Sequence, residues 1–117
     1  MFVAANTHCF AELPFRDACT RIVDLGYDKI ELWFDPAGRH LDVAAVAADP
    51  ERFAAGYRET TRLTPIALCV EAADIAPATL TGLAKAAKLL RVAQLTVPAS
   101  PVGTPFNTEV DRLRAYA

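Results

Sequence analysis

"GYDKIELWFD", residues 26–35, places one carboxylate, Glu31, inside a run that otherwise reads as protein interior. A buried carboxylate costs several kcal/mol unless it is hydrogen-bonded, paired or bound to an ion. Side chains alternate between the two faces of a strand. Ile30, Leu32 and Phe34 therefore share one face, while Glu31, Trp33 and Asp35 share the other. The first set suits packing under helices; the second needs a setting in which a charge is met. Just upstream, Phe15, Ala18, Cys19, Ile22 and Val23 recur at offsets of three and four, the stripe of an amphipathic helix. Gly26 ends that helix, because glycine enters the left-handed conformation without strain.

The same unit repeats outward from this stretch. Phe2 to Cys9 reads as a first strand and Lys29 to Phe34 as the second. A turn at Pro36 to Gly38 leads to an alanine-rich segment, Leu41 to Ala48. Asp49-Pro50-Glu51 then supplies a side-chain cap, a proline at the first helical position and an acid in the first turn. Phe53, Ala54, Tyr57 and Thr61 form the stripe of that helix. Pro65 to Glu71 is the third strand, and Pro77 to Val92 the third helix, with Leu80, Leu83, Ala84, Ala87 and Leu90 or Arg91 on one side. Leu95 to Ala99 is the fourth strand, and a fourth helix starts near Asn107 or Thr108. Strands alternating with helices predict an α/β fold with a parallel sheet.

Applied to every strand, the alternation separates an aliphatic face from one that turns polar toward the strand ends. Val3, Ala5 and Thr7 oppose Ala4, Asn6 and His8; Ile66, Leu68 and Val70 oppose Ala67, Cys69 and Glu71; Leu95 and Val97 oppose Thr96 and Pro98. A sheet covered on both sides has little reason to gather polar groups on one face, whereas a closed (β/α)8 barrel keeps its inner face apart from its helices and its active site at the strand ends. The expectation is thus parallel βα units of a TIM barrel, about four of eight, a half barrel. Asn6, His8, Glu31, Trp33, Glu71 and Thr96 would project into one mouth. The alternative is a flavodoxin-like α/β binding module, or a non-catalytic half barrel that self-associates.

Composition narrows the classes. Of 117 residues, 53% are hydrophobic and 22% charged, as in a globular domain. Twelve Lys plus Arg, scattered singly, against fourteen Asp plus Glu give a net charge of −2 and no basic face for nucleic acid. Apolar runs break well before the ~20 residues that span a bilayer. "MFVAANTHCF" lacks the basic start of a signal sequence, so the expected compartment is cytoplasmic. Cys9, Cys19 and Cys69 are odd in number and without C-x-x-C spacing, and read as buried free thiols. The chain stops at Ala117 inside a helical pattern, which reads as a truncation: residues 1–117 are expected to be a single N-terminal portion of a barrel.

"ACTRIVDLGYDKIELWFD", residues 18–35, with its helix, Gly-aromatic turn and Glu-bearing strand, resembles the N-terminal half of the sugar phosphate isomerase/epimerase family, the xylose isomerase-like TIM barrels. The resemblance implies metal-dependent proton transfer beside a carbonyl, on a small-molecule sugar or related polyol. A divalent metal (Mn, Mg, Co or Zn) belongs to the complete barrel. Its ligands lie mainly on later strands, so no catalytic and no metal-ligating residue is assigned here. His8 and His40 do not match the histidine ligands of the endonuclease-like members. The substrate-binding candidates are His8, Glu31, Trp33, Glu71 and Asn6. An aromatic ring such as Trp33 covers the apolar face of a sugar, and His8 offers an imidazole near neutral pH. Asp35 and His40 flank Gly38 in a loop and are expected to be exposed. The expected partners are the sugar, no nucleic acid, no membrane, and either a homo-oligomer or the remaining half of the barrel.

Overall fold

The computed structural model describes residues 3–35, 37–72 and 75–116. Phe2, Pro36, Ala73, Asp74 and Ala117, on which parts of the first-strand, turn, loop and terminal expectations fall, lie outside the described residues. The elements alternate as expected: β1 (Ala5–Asn6), a 3-10 turn (Thr7–Phe10), α1 (Phe15–Asp24), β2 (Lys29–Phe34), α2 (Val43–Ala48), α3 (Pro50–Thr60), β3 (Thr64–Val70), α4 (Pro77–Leu90), β4 (Gln94–Thr96) and α5 (Phe106–Tyr116). All three strand pairings are parallel, and the order is β1-β2-β3-β4. A flavodoxin-like sheet interleaves its strands in the order 2-1-3, which is not the order found here. The architecture is an α/β sheet of four sequential parallel strands flanked by helices, compatible with half a barrel.

The helices pack on one face. Ile30, Leu32 and Phe34 of β2 join Leu68 and Val70 of β3 in a single core with Cys19 and Ile22 of α1, Val46 of α2, Ala54 and Tyr57 of α3, and Leu80, Leu83, Ala86, Ala87 and Leu90 of α4. Each fully buried aliphatic or aromatic side chain contributes about 1.5–3 kcal/mol, so this layer carries the fold. α2 and α4 meet so closely that a Cβ on Gly82 would sit 2.7 Å from the Ala47 Cα and closer still to its carbonyl oxygen.

Local signals decide where helices begin and end. Asp42 caps α2 through Ala45 N (2.8 Å), and Asp49 caps α3 through Arg52 N (3.0 Å), with Pro50 at the first position. Gly26, at φ +85°, closes α1: its N–H donates to Val23 O and that of Tyr27 to Ile22 O, the paired bonds of a Schellman cap.

Several expectations need correction. The first strand ends at Asn6, because Thr7 turns into the 3-10 segment, so His8 leaves the strand alternation. A register shift between Ile30 and Glu31 makes Ile66 an extra residue on β3. Ile66 consequently does not join Leu68 and Val70 in the core; it lines a groove with Asn6 and Glu31 instead. Helical rotation exposes Ala84 on α4 and puts Ala86 inside; of the alternatives Leu90 and Arg91, Leu90 is the buried one, and Arg91 caps the helix beyond its end. Val23, on the expected stripe of α1, is 53% exposed. Asp35 and His40 are buried, not exposed. Of the three free thiols only Cys19 is buried; Cys69 is half-buried and Cys9 exposed.

Candidate functional site

The opposite face of the sheet carries the polar rows. Parallel pairing aligns Asn6, Glu31, Ala67 and Gln94 across the four strands, and one step further Trp33, Cys69 and Thr96. Gln94 and Thr96 are exposed, and Asn6 and Glu31 are half-buried. Glu31 is met by Asn6, whose Nδ2 donates to Glu31 Oε2 at 3.1 Å. Asn6 also accepts the His8 N–H on its Oδ1 at 2.8 Å, so one amide side chain caps the 3-10 turn and holds the carboxylate. The same turn buries Thr7, whose Oγ1 accepts the Trp33 N–H at 2.9 Å.

This folding of the chain after β1 lays the His8 ring over Trp33, with centroids 4.3 Å apart and planes 25° from parallel. His40 meets Trp33 edge-on at 5.6 Å, and the Arg39 guanidinium lies 5.8 Å from the Trp33 ring centre. Trp33 is therefore only 3% exposed although it stands on the open side. The Phe10 carbonyl can only accept, so His40 Nε2, 3.0 Å away, carries the proton. His40 Nδ1 and Trp33 Nε1 are buried and without a partner among the described residues. Such groups cost about 1–3 kcal/mol each, and none of the other buried side-chain polar atoms described is left so.

Asp35 sets the position of Arg39. Its carboxylate accepts the N–H groups of Ala37 and Arg39 and the Arg39 Nε at 2.8 Å. Burial pushes the Asp35 carboxyl up, but these bonds together outweigh it and hold it below the usual carboxylate range. Burial, and then the nearby Glu31 charge, push the Cys69 thiol up, away from the thiolate form that a nucleophile uses.

The structure thus brings four of the five expected residues together: Asn6 with Glu31 by hydrogen bond, Asn6 with His8 by capping, and His8 with Trp33 by stacking. Glu71 stands apart, exposed just past β3, with its backbone N–H on Phe34 O. His40 and Arg39 were missed as neighbours of Trp33. The one signal was Arg39 four residues after Asp35, a spacing at which the carboxylate pairs with the guanidinium. Among the described residues no three His, Cys, Asp or Glu side chains gather as a metal-ligand set. No described helix is long and apolar enough to cross a membrane. Comparison of the chain with family models, with curated proteins and with solved structures gives no match.

Proposed function

We propose that this chain supplies four βα units of a sugar (phosphate) isomerase/epimerase-like barrel, with Asn6, Glu31, His8 and Trp33 binding the sugar and Glu71 at the rim. The observation that supports this reading most is the joined set on the open face: a carboxylate oriented by an amide, beside a stacked imidazole and indole at the ends of adjacent parallel strands. A carboxylate accepts from sugar hydroxyls, and the exposed His8 ring, backed by the buried Trp33, offers a flat face to the apolar side of a pyranose or furanose. The reaction in this reading is proton transfer next to a carbonyl. The residues described do not by themselves fit a divalent metal, so no step is derived through one. The metal, Mn, Mg, Co or Zn, enters only with further strands, and the chain alone is expected not to turn substrate over.

A non-catalytic, self-associating half barrel is the second reading, favoured by the two unpaired sheet edges. Trp33 is the only tryptophan, so its fluorescence reports directly on the site. Titration with a panel of ketoses and ketose phosphates, with and without Mn²⁺, should give a saturable change that Glu31→Ala weakens. No response to any of them would overturn the sugar reading.

A further inference from the structure

Three arginines that stand apart in sequence meet at the end of the sheet where the strands begin. Arg58, in the last turn of α3, Arg62, just past that helix, and Arg91, at the close of α4, line one open pocket of about 460 Å³. Thr64, at the start of β3, and Leu89, near the end of α4, contribute to its walls, and no Asp or Glu does. All three arginines are exposed, and none of them is in an ion pair among the described residues. Arg39, Arg112 and Arg114, by contrast, each sit on a carboxylate.

Helix ends account for part of this gathering. The carbonyl end of a helix is negative and favours a basic neighbour. Arg58 meets that need for α4, since its Nη2 donates to the Leu89 carbonyl at 2.7 Å. A carbonyl carries no net charge, so the bond fixes the guanidinium without cancelling it. Arg91 is different. It closes α4 at φ +59°, and it is the one residue described, glycines aside, with a positive φ. α1 makes the same left-handed turn with Gly26, at no steric cost; a residue with a Cβ takes it under strain. The Arg62 and Arg91 side chains have no hydrogen-bond partner among the described residues, so what the strain secures at Arg91 is not a contact within the chain.

We propose that this pocket binds a small phosphorylated ligand, with the Arg58, Arg62 and Arg91 guanidinium groups on its phosphate and the Thr64 hydroxyl as a further donor. The planar fork of a guanidinium matches phosphate oxygens two at a time. A phosphate monoester carries about −1.5 to −2 charges at pH 7 on one compact group, which suits three cations around one pocket better than the single charge of a carboxylate. Thr64 lies five residues before Cys69, the partner of Trp33 in register, or about 16 Å at the rise of a strand. The pocket is thus a second site, at the opposite end of the strands from the joined set on the open face, and it does not rest on sugar chemistry.

Inorganic diphosphate, which contains no sugar, is the probe, followed by titration calorimetry and by the thermal unfolding midpoint at constant ionic strength. The midpoint should rise with diphosphate concentration, as it does for any ligand of the folded state, and acetate at matched ionic strength should not move it. Arg62→Gln should weaken diphosphate binding tenfold or more, while Arg16→Gln, on α1 and outside the pocket, should leave it unchanged. Arg91→Gly separates binding from folding: relief of the left-handed strain should raise the unfolding midpoint of the free chain, and diphosphate affinity should fall tenfold or more. Circular dichroism checks that each variant folds. No diphosphate binding, an equal response to acetate, affinity indifferent to Arg62→Gln and Arg91→Gly, or a free chain destabilised by Arg91→Gly would each overturn the proposal. A chain that binds diphosphate and no ketose spares this site and defeats the sugar reading; a ketose response at Trp33 without diphosphate binding does the reverse.

Discussion

Glu31 and Leu32 are neighbours in one strand, yet they inhabit different molecules in physical terms. On the helix side of the sheet, Ile30, Leu32, Phe34 and Leu68 are wholly excluded from solvent and surrounded by apolar atoms. On the other side, Asn6 and Glu31 hold each other half in water, and Gln94 and Thr96 are exposed. The difference teaches that a single period-two pattern divides the labour of this chain: one face supplies the free energy of folding and the other keeps its polar groups half in water. Trp33 sits between the two conditions. It belongs to the open face by register but is buried by the segments that leave two strand ends, Thr7 and His8 from the turn after β1 and Arg39 and His40 from the loop after β2.

The comparison breaks first at Leu32. Leu32→Ala should cost about 2–5 kcal/mol, the usual range for emptying a filled core position, measured by urea or thermal unfolding. A loss no larger than that of a surface substitution would mean the helix-covered face is not the one that carries stability. Gly82→Ala comes next, at about 1–3 kcal/mol, since its new methyl group meets the backbone of α2 at Ala47. The effect should appear as a lower unfolding midpoint. Unchanged stability would show that α2 and α4 do not hold their close contact. On the open face Glu31→Gln should cost only about 0.5–1.5 kcal/mol, the worth of one hydrogen bond, because Asn6 can still donate to the amide oxygen. If it matched Leu32→Ala instead, the carboxylate would be part of the folding core, and the contrast between the faces would fail.

Much of this division was legible from residues 18–35 alone, where a helix stripe, a glycine cap and an alternating strand follow one another, and the caps at Asp49 and Gly26 fall where their residue types predict. Three things were not legible. Alternation assumes a regular strand, so it missed the extra residue at Ile66 and the early end of β1 at Asn6, each set by the partner strand or by a side-chain bond from Asn6 itself. It also reads loops as solvated, and so missed His40 and Asp35, which are buried because Asp35 collects two backbone amides and Arg39, and His40 finds the Phe10 carbonyl 30 residues away. Finally, a helical stripe says which residues are apolar, not whether a neighbour exists to cover them, and Val23 is the case in point.

α5 sharpens the same contrast from the other direction, because polar contacts hold it where apolar burial holds α1 to α4. Arg112 donates to Glu109 at 2.8 and 2.6 Å and to the Pro98 carbonyl at 3.0 Å, while Ser100 donates to Glu109 from its hydroxyl and its N–H. The cluster ties the exit of β4 to the first turns of the helix. The Arg112 guanidinium, and after it the Ser100 hydroxyl, hold the Glu109 carboxyl down to about 2, against an ordinary 4.5. A carboxyl whose folded value is depressed contributes stability above its unfolded value and loses it as pH falls through the folded one. The contribution of Glu109 should therefore be complete at neutral pH, decline below pH 4.5 and be spent near pH 2. Glu109→Gln should be the mildest of these variants at pH 7, slightly less stable than the parent, and its unfolding midpoint should fall less on acidification across that window. Parallel pH profiles for the two proteins would show that this ion pair does not anchor α5, and the helix would then be held through Tyr116, whose hydroxyl donates to the Ile75 carbonyl at 3.1 Å and whose ring packs against the core.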